Sequence, residues 1–354
     1  METSSKSQAN TAAAKAKNAA SEKATVADAT RVSFKEQVKL VLKFALVGVV
    51  FFYLYQKGLI TADSFHRLFS STPTLVICLV LMVLNTVLGA VRWRMLLDTQ
   101  GAHLPFLRVL KLNLIGLFFN IALPGAVSGD FIKAIYVAKE FKDKRPAVFG
   151  SILFDRIVGV TAMVFVAGFS AVISLFVPWG GALPNVLLYS VGALGLGSVL
   201  FYLYLFYSHQ RDPVLMMLQF FTRRSEKLGA IDRLYHGVMG YRRHPERVLK
   251  IIPFSILIHI FLILIAFFIS SVVCSTPIPI VALAVMVPIG MLATTIPILP
   301  AGVGTGHAAF YALFKLVGSD QGAEVFSLIV LYQILFGLIG GLVYLKVSTE
   351  VDQK

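Results

Sequence analysis

From residue 38 onward, long apolar runs alternate with short clusters of lysine and arginine. Runs near the roughly 20 residues that cross a hydrocarbon core lie at about 38–55, 73–91, 147–177, 185–207, 251–275 and 323–344. Each predicts a membrane-spanning helix. Two further stretches are as apolar but broken. In 112–140 a run interrupted by Asn113, Gly116 and Asn120 stops at Leu123-Pro124-Gly125. Proline removes a donor and glycine admits a tight reversal, so a turn is predicted there. Ser128, Gly129 and Asp130 then open a second short apolar stretch containing Lys133. A carboxylate and an ammonium beside a helix break are costly in lipid unless protein or water lines them. The other broken stretch, about 279–317, is interrupted at IPILPAGVGTGHAAF, residues 296–310.

The placement of charge decides how the broken stretches are drawn. Arg92, Arg94, Arg108 and Lys111 precede the first, and Lys139, Lys142, Lys144 and Arg145 follow it. The positive-inside rule puts both flanks, and the N-terminus, in the cytoplasm. A single crossing cannot satisfy that, whereas a re-entrant hairpin can. With Lys346 also inside, 279–317 becomes a second hairpin entering from outside. The expected fold is therefore all-α, a polytopic membrane helix bundle of six full spans plus two opposed re-entrant helical hairpins, in one domain at about 34–346. The tips, LPGAVSGD at 123–130 and LPAGVGTG at 299–306, resemble each other. Either they are halves of an inverted repeat around a midplane binding site, or they are two unrelated Pro-Gly breaks.

Three other segments complete the layout. Arg92-Trp93-Arg94 reads as a basic and aromatic anchor closing the span 73–91. The arginine-rich segment 208–250 is expected to be cytoplasmic, with interfacial helices lying against anionic lipid. Residues 1–33 lack aromatics and read as a disordered basic cytoplasmic tail, and 347–354 as a short polar tail.

Composition narrows the function. At 57% hydrophobic, 14% charged and mean hydropathy +0.80, the chain departs from soluble proteins, in which about 25% of residues are charged. It reads as an integral membrane protein without room for a separate soluble catalytic domain. The net charge of +14 would suggest nucleic acid in a soluble protein. Here the cations sit between spans, where they set orientation and meet anionic headgroups, so no nucleic-acid partner is expected. Cys78 and Cys274 fall in apolar spans without metal-ligand spacing. No metal or cofactor site stands out, nor a nucleophile with a paired base, so an enzyme is not expected.

The candidate residues leave alternatives open. Asp130 and Lys133 could gate the hairpin, contact a headgroup, or satisfy the broken helix, with Lys133 snorkelling outward as a further option. Arg156 could coordinate a phosphate with its planar donors or pair internally with Asp155, Asp130 or a freed carbonyl. Asp155 is expected to orient Arg156. His259 reads as a satisfied core histidine. His307, beside the second break, is a functional candidate because histidine titrates near neutral pH.

The same residues carry a family resemblance. Asn120, Pro124, Gly125, Gly129 and Asp130, then the pair Asp155 and Arg156, then Pro300, Gly302 and Gly304 are similar to the motifs of the transmembrane flippase region of lysylphosphatidylglycerol synthases and its stand-alone relatives. The resemblance spans roughly 75–344. Ser128 departs from a glycine, Lys133 from an arginine and His307 from a glutamate. The resemblance implies translocation of phospholipids or lipid-linked polar headgroups. It marks these ten residues, with Lys133 and His307, as the binding or gating set. The family's aminoacyl-transferase domain is missing, which argues against lysyl transfer by this chain. A second reading is a non-transporting partner that docks a cytoplasmic lipid-modifying or glycosyltransferase enzyme through 208–250. The implied location is a bacterial inner membrane, with both termini cytoplasmic. Lipid identity and oligomeric state are open.

Overall fold

The computed structural model describes residues 62–122, 128–207, 229–295 and 304–351, together with Phe52, Tyr55, Gln56, Asp212, 214–217 and Gly302. The tail 1–33, nearly all of the span 38–55, the hairpin tips with Pro124, Gly125 and Pro300, and most of 208–228 lie outside the described residues. All regular structure among the described residues is helical: α1 (Ala62–Ser70), α2 (Thr72–Thr99), α3 (Phe106–Ala122), α4 (Ser128–Glu140), α5 (Arg145–Ile173), α6 (Asn185–Tyr207), α7 (Gly229–Met239), α8 (Pro245–Val273), α9 (Ile280–Thr294), α10 (Thr305–Lys315) and α11 (Gly322–Val351). Short 3-10 turns at Lys142–Lys144 and Gly240–Arg243 lead into α5 and α8. The helices α2, α5 and α8 each open with a proline in the first turn, where its missing N–H would have had no partner anyway.

Five helices, α2, α5, α6, α8 and α11, are long and apolar enough to cross a membrane. The helices α3, α4, α9 and α10 are not. The longest of them has 17 residues, about 26 Å, short of the roughly 30 Å of hydrocarbon. They pair as the two expected hairpins, and α11 shows their directions. A Cβ on Gly340 would lie 1.9 Å from the Leu114 carbonyl oxygen, and one on Gly337 would lie 2.4 Å from Ile121. Thus α3 runs antiparallel to α11, with its later residues nearer the α11 N-terminus. At the other end of α11, Gly322 sits against Phe310, and His307 is 2.9 Å from Ser327. Thus α10 is also antiparallel, with its first turn deepest. One hairpin enters from each end of α11, and the helix ends bordering their tips approach its middle.

Backbone contact closes the first hairpin. A Cβ on Gly129 would sit 1.8 Å from the Gly116 carbonyl oxygen, so α3 and α4 meet where no side chain fits. The helix α3 starts at Phe106, earlier than Leu112, because Arg108 and Lys111 occupy exposed or partly exposed positions of a continuing helix. The open end is clasped by Arg108 and Glu140, 2.7 Å apart.

Two expectations about interfaces change. The helix α2 continues through Arg92-Trp93-Arg94 to Thr99, and Trp93 is fully buried, its Nε1 donating to Ser151 Oγ at 3.2 Å. The apolar face persists past the charges, with Trp93, Leu96 and Leu97 all buried. Trp93 is therefore a core residue and not a membrane-surface anchor. Likewise α7 is built into the bundle: a Cβ on Gly237 would lie 2.3 Å from the Pro146 carbonyl oxygen at the start of α5. Tyr241 just beyond it stacks on Phe154 with ring centroids 4.0 Å apart and donates to the Leu96 carbonyl at 3.0 Å. Finally, α11 stays helical to Val351, past the expected tail boundary at Lys346.

The glycine contact generates a stability prediction. Gly129→Ala, which must separate α3 from α4, lowers the detergent melting temperature sharply, by the equivalent of about 3 kcal/mol or more. Gly192→Ala on α6, where an added Cβ meets nothing within 4 Å, leaves it unchanged or slightly higher. Fluorescence-detected size exclusion after a temperature ramp compares the two.

Candidate functional site

Asp155 and Arg156 are neighbours on α5, and successive helical residues are turned about 100° apart, so they serve different helices. Asp155 faces α2, where Arg92 holds it through Nε to Oδ1 at 2.8 Å and Nη2 to Oδ2 at 3.0 Å. The third guanidinium nitrogen of Arg92 donates to Ser255 Oγ on α8 at 3.3 Å. Asp155 therefore fixes Arg92 and does not orient Arg156, as the sequence had suggested. Arg92 lay inside the expected anchor and was missed. The signal available was that two adjacent ionised residues inside a span need partners in two directions.

Arg156 faces α4, where it meets Asp130, with Nε donating to Oδ2 at 2.6 Å. The same carboxylate accepts from Lys133 Nζ at 2.9 Å. One carboxylate thus serves two cations. Lys133 is 4% exposed, so it does not snorkel. Its Nζ lies 4.5 Å from the centre of the Trp93 ring and 3.5 Å from Asn113 Oδ1, both favourable surroundings for a buried ammonium. Asn113 in turn donates to the Thr86 carbonyl at 3.3 Å. Arg156 differs from its partners in being 42% exposed at its side chain. It lines an open groove of about 390 Å³ between α5 and α6, whose other walls include Ile157, Val160, Leu194 and Phe201.

The remaining expected residues among those described hold the hairpins in shape. Asn120 Oδ1 accepts the backbone N–H of Gly129 at 2.9 Å, and Ser128 Oγ donates to the Phe119 carbonyl at 3.1 Å. The last turn of α3 and the first turn of α4 thereby satisfy each other's backbone groups, which no water reaches in lipid. In the second hairpin, Gly302 has φ 70° and Gly304 φ 90°. A Cβ on Gly302 would lie 2.6 Å from Thr294 Cβ, so glycine is required there on both counts. His307 Nδ1 accepts the Gly304 N–H at 3.2 Å. Ser327 donates its hydroxyl to the Ala323 carbonyl at 2.9 Å, so His307 Nε2 is the donor to Ser327 across 2.9 Å. These partners assign the neutral tautomer protonated on Nε2. His307 is the reciprocal acceptor of a helix cap, the position glutamate fills in a capping box. His259 is buried and donates Nε2–H to the Gly159 carbonyl at 3.0 Å, a satisfied core histidine as expected.

A second hub, not foreseen, lies outside the spans at Asp212. It accepts from Tyr204, from Tyr235 at 2.6 Å, from the Leu215 N–H at 2.9 Å and from Arg242 at 3.1 Å. Burial would raise its pKa, but the hydrogen bonds from Tyr204, Tyr235, Leu215 and Arg242 outweigh it and hold it at about 2. With the pKa depressed on folding, the hub's contribution is complete above the unfolded value of 3.8 and is lost only as pH falls through about 2. It is a permanent tie between α6, α7 and the turn before α8.

Together the fold and site define a polytopic helical membrane protein in which charged residues of α2, α4 and α5 pair inside the bundle. The chain belongs to the Lysylphosphatidylglycerol synthase TM region family, which matches residues 40–342. It is similar to the UPF0104 membrane protein MJ1595 of Methanocaldococcus jannaschii, with 21% identity over 341 residues, 90% of this chain and 97% of that one. No solved structure matches.

Two outcomes test the assigned geometry. Asp155→Asn leaves Arg92 buried beside an uncharged amide and costs about 3–5 kcal/mol, whereas the double change Arg92→Met with Asp155→Leu recovers most of it, as read by thermal unfolding. His307→Gln retains an acceptor for Gly304 and stays within a few tenths of a kcal/mol of wild type, while His307→Ala loses about 1 kcal/mol.

Proposed function

We propose that this protein moves lipids with polar headgroups between the leaflets of a membrane. The observation that carries the reading is the double engagement of Arg156, which faces an apolar groove on one side and clamps the re-entrant helix α4 through Asp130 on the other. Acyl chains can lie along the groove while the headgroup anion approaches the guanidinium, whose planar donors suit a phosphate. An anion at Arg156 competes with Asp130 for the same donors. Because Lys133 stays on Asp130, the carboxylate keeps a partner when Arg156 turns to the ligand, so the exchange does not strand a buried charge. Headgroup binding thereby loosens the tie between α4 and α5, the step that opens the hairpin.

The layout of charge supports an orientation for this transport. Lys144 Nζ reaches the Gly101 carbonyl at 2.7 Å, Arg108 pairs with Glu140, and Tyr241 reaches Leu96. These contacts gather the basic ends of α2 to α5 and the basic start of α8 at one end of the bundle. By the positive-inside rule that end is cytoplasmic, as in a bacterial inner membrane.

The test reconstitutes the purified chain in vesicles carrying a fluorescent lipid and follows the fraction bleached by an impermeant reductant. Wild type exposes inner-leaflet lipid faster than empty vesicles, and Arg156→Ala and Asp130→Asn, folded by size exclusion, slow it by roughly 10- to 100-fold. Identical curves for wild type and empty vesicles, across anionic, zwitterionic and lipid-linked sugar probes with ion gradients imposed, overturn the reading.

A further inference from the structure

Carboxamides at membrane depth are held by the surrounding helices. Asn85 Nδ2 donates to the Ile258 carbonyl at 3.0 Å, Asn113 Nδ2 donates to the Thr86 carbonyl at 3.3 Å, and Asn120 Oδ1 accepts the Gly129 N–H at 2.9 Å. Gln333 differs. It lies near the middle of the apolar stretch Gly322–Lys346 of α11 and is half-buried. Among the described residues its side chain has no hydrogen-bond or ion-pair partner. An amide left alone at that depth is costly, so the direction in which it points decides what can satisfy it.

At about 100° per residue, Gln333 shares a face of α11 with Ile329, Val330, Gly337 and Gly340, all of them buried. The exposed residues Leu335, Ile339 and Leu342 occupy the opposite face. Gln333 therefore opens toward the interior of the bundle and not toward lipid. Along the same face the first turn of α10 meets α11, with Gly306 against Phe326 and His307 on Ser327. The second half of α3 meets it further on, with Ile121 against Gly337 and the Leu114 carbonyl against Gly340. Gln333 falls between these contacts, about 9 Å along the axis from Ser327 and about 6 Å from Gly337.

We propose that Gln333 faces the path of the headgroup and hydrogen-bonds a hydroxyl carried on it. The inference rests on the lipid-moving reading above and adds a specificity residue to it. A carboxamide sets two N–H donors beside a carbonyl acceptor, and a hydroxyl, which both donates and accepts, answers that pattern. Being uncharged, Gln333 does not sort ligands by charge. It distinguishes headgroups of equal charge by whether they return a hydrogen bond, since one that does not leaves the amide unpaired.

The experiment uses the same vesicles with two phosphodiester probes of equal charge, acyl chains and fluorophore, one with a glycerol headgroup and one with a propyl headgroup. Wild type moves the glycerol probe about three- to tenfold faster than the propyl probe, and Gln333→Leu moves the two at equal rates. Equal rates in wild type, or a Gln333→Leu variant that slows both probes alike and keeps their ratio, overturn the contact while leaving translocation standing. Gln333→Met takes the place of Gln333→Leu should that variant fail to fold by size exclusion. If neither probe moves, translocation fails, and accessibility of the site decides separately. In a chain carrying Cys78→Ala and Cys274→Ala, Gln333→Cys reacts with a charged, membrane-impermeant thiol reagent faster than Leu335→Cys on the lipid-facing side, which supports a polar path at Gln333. Equal protection of the two refutes it.

Discussion

A helix that stops inside a bilayer leaves backbone N–H and C=O groups with no water to take them, and the rest of this structure depends on how that debt is met. In the first hairpin, Asn120 on α3 accepts from the start of α4 while Ser128 on α4 donates to the end of α3. Each helix caps the other. In the second, His307 caps its own helix and is steadied by Ser327 on α11. Ser128 contributes a donor that a glycine there would lack, and His307 supplies the acceptor that glutamate fills in a capping box.

Once the breaks are stabilised, charge can be placed beside them. The aspartate that follows the break, Asp130, begins α4 and is matched by one cation from its own helix and one from α5. Lys133 is supported by an aromatic face and an amide oxygen, so the pair survives burial that would penalise an isolated ammonium. Arg156 is the member of this group with access to the groove. The arrangement separates duties: Lys133 keeps the site charged, and Arg156 exposes that charge.

Much of the architecture was legible because hydrophobic length and the sign of flanking charge are strong signals in membranes. The first broken stretch was recognisable as a hairpin from charges on both flanks and the second from the placement of Lys346, and Asp130, Lys133 and Arg156 from their cost in lipid. What sequence did not convey was direction around a helix. Asp155 and Arg156 look like a pair when written side by side, yet they point to different neighbours. Arg92-Trp93 looks like an interfacial belt, yet the helix continues and carries both into the core. The close glycine contacts, Gly116 with Gly129 and Gly150 with Gly237, were equally hidden, since a glycine in a membrane helix announces neither its partner nor its distance. Asp212 was missed because its partners come from four separate places in the chain.

The side-by-side placement of Asp155 and Arg156 has a mechanical consequence. Two opposite charges on adjacent residues, each tied to a different helix, act like two pins driven through a shaft at an angle. Rotation of α5 about its axis breaks both ties at once, and sliding along the axis misaligns both. The helix is thus a fixed post against which other parts turn. Of the two walls of the groove, α6 is the less enclosed, with Val191 and Leu205 its buried residues, while α3 and α4 meet backbone to backbone and α3 lies as closely on α11.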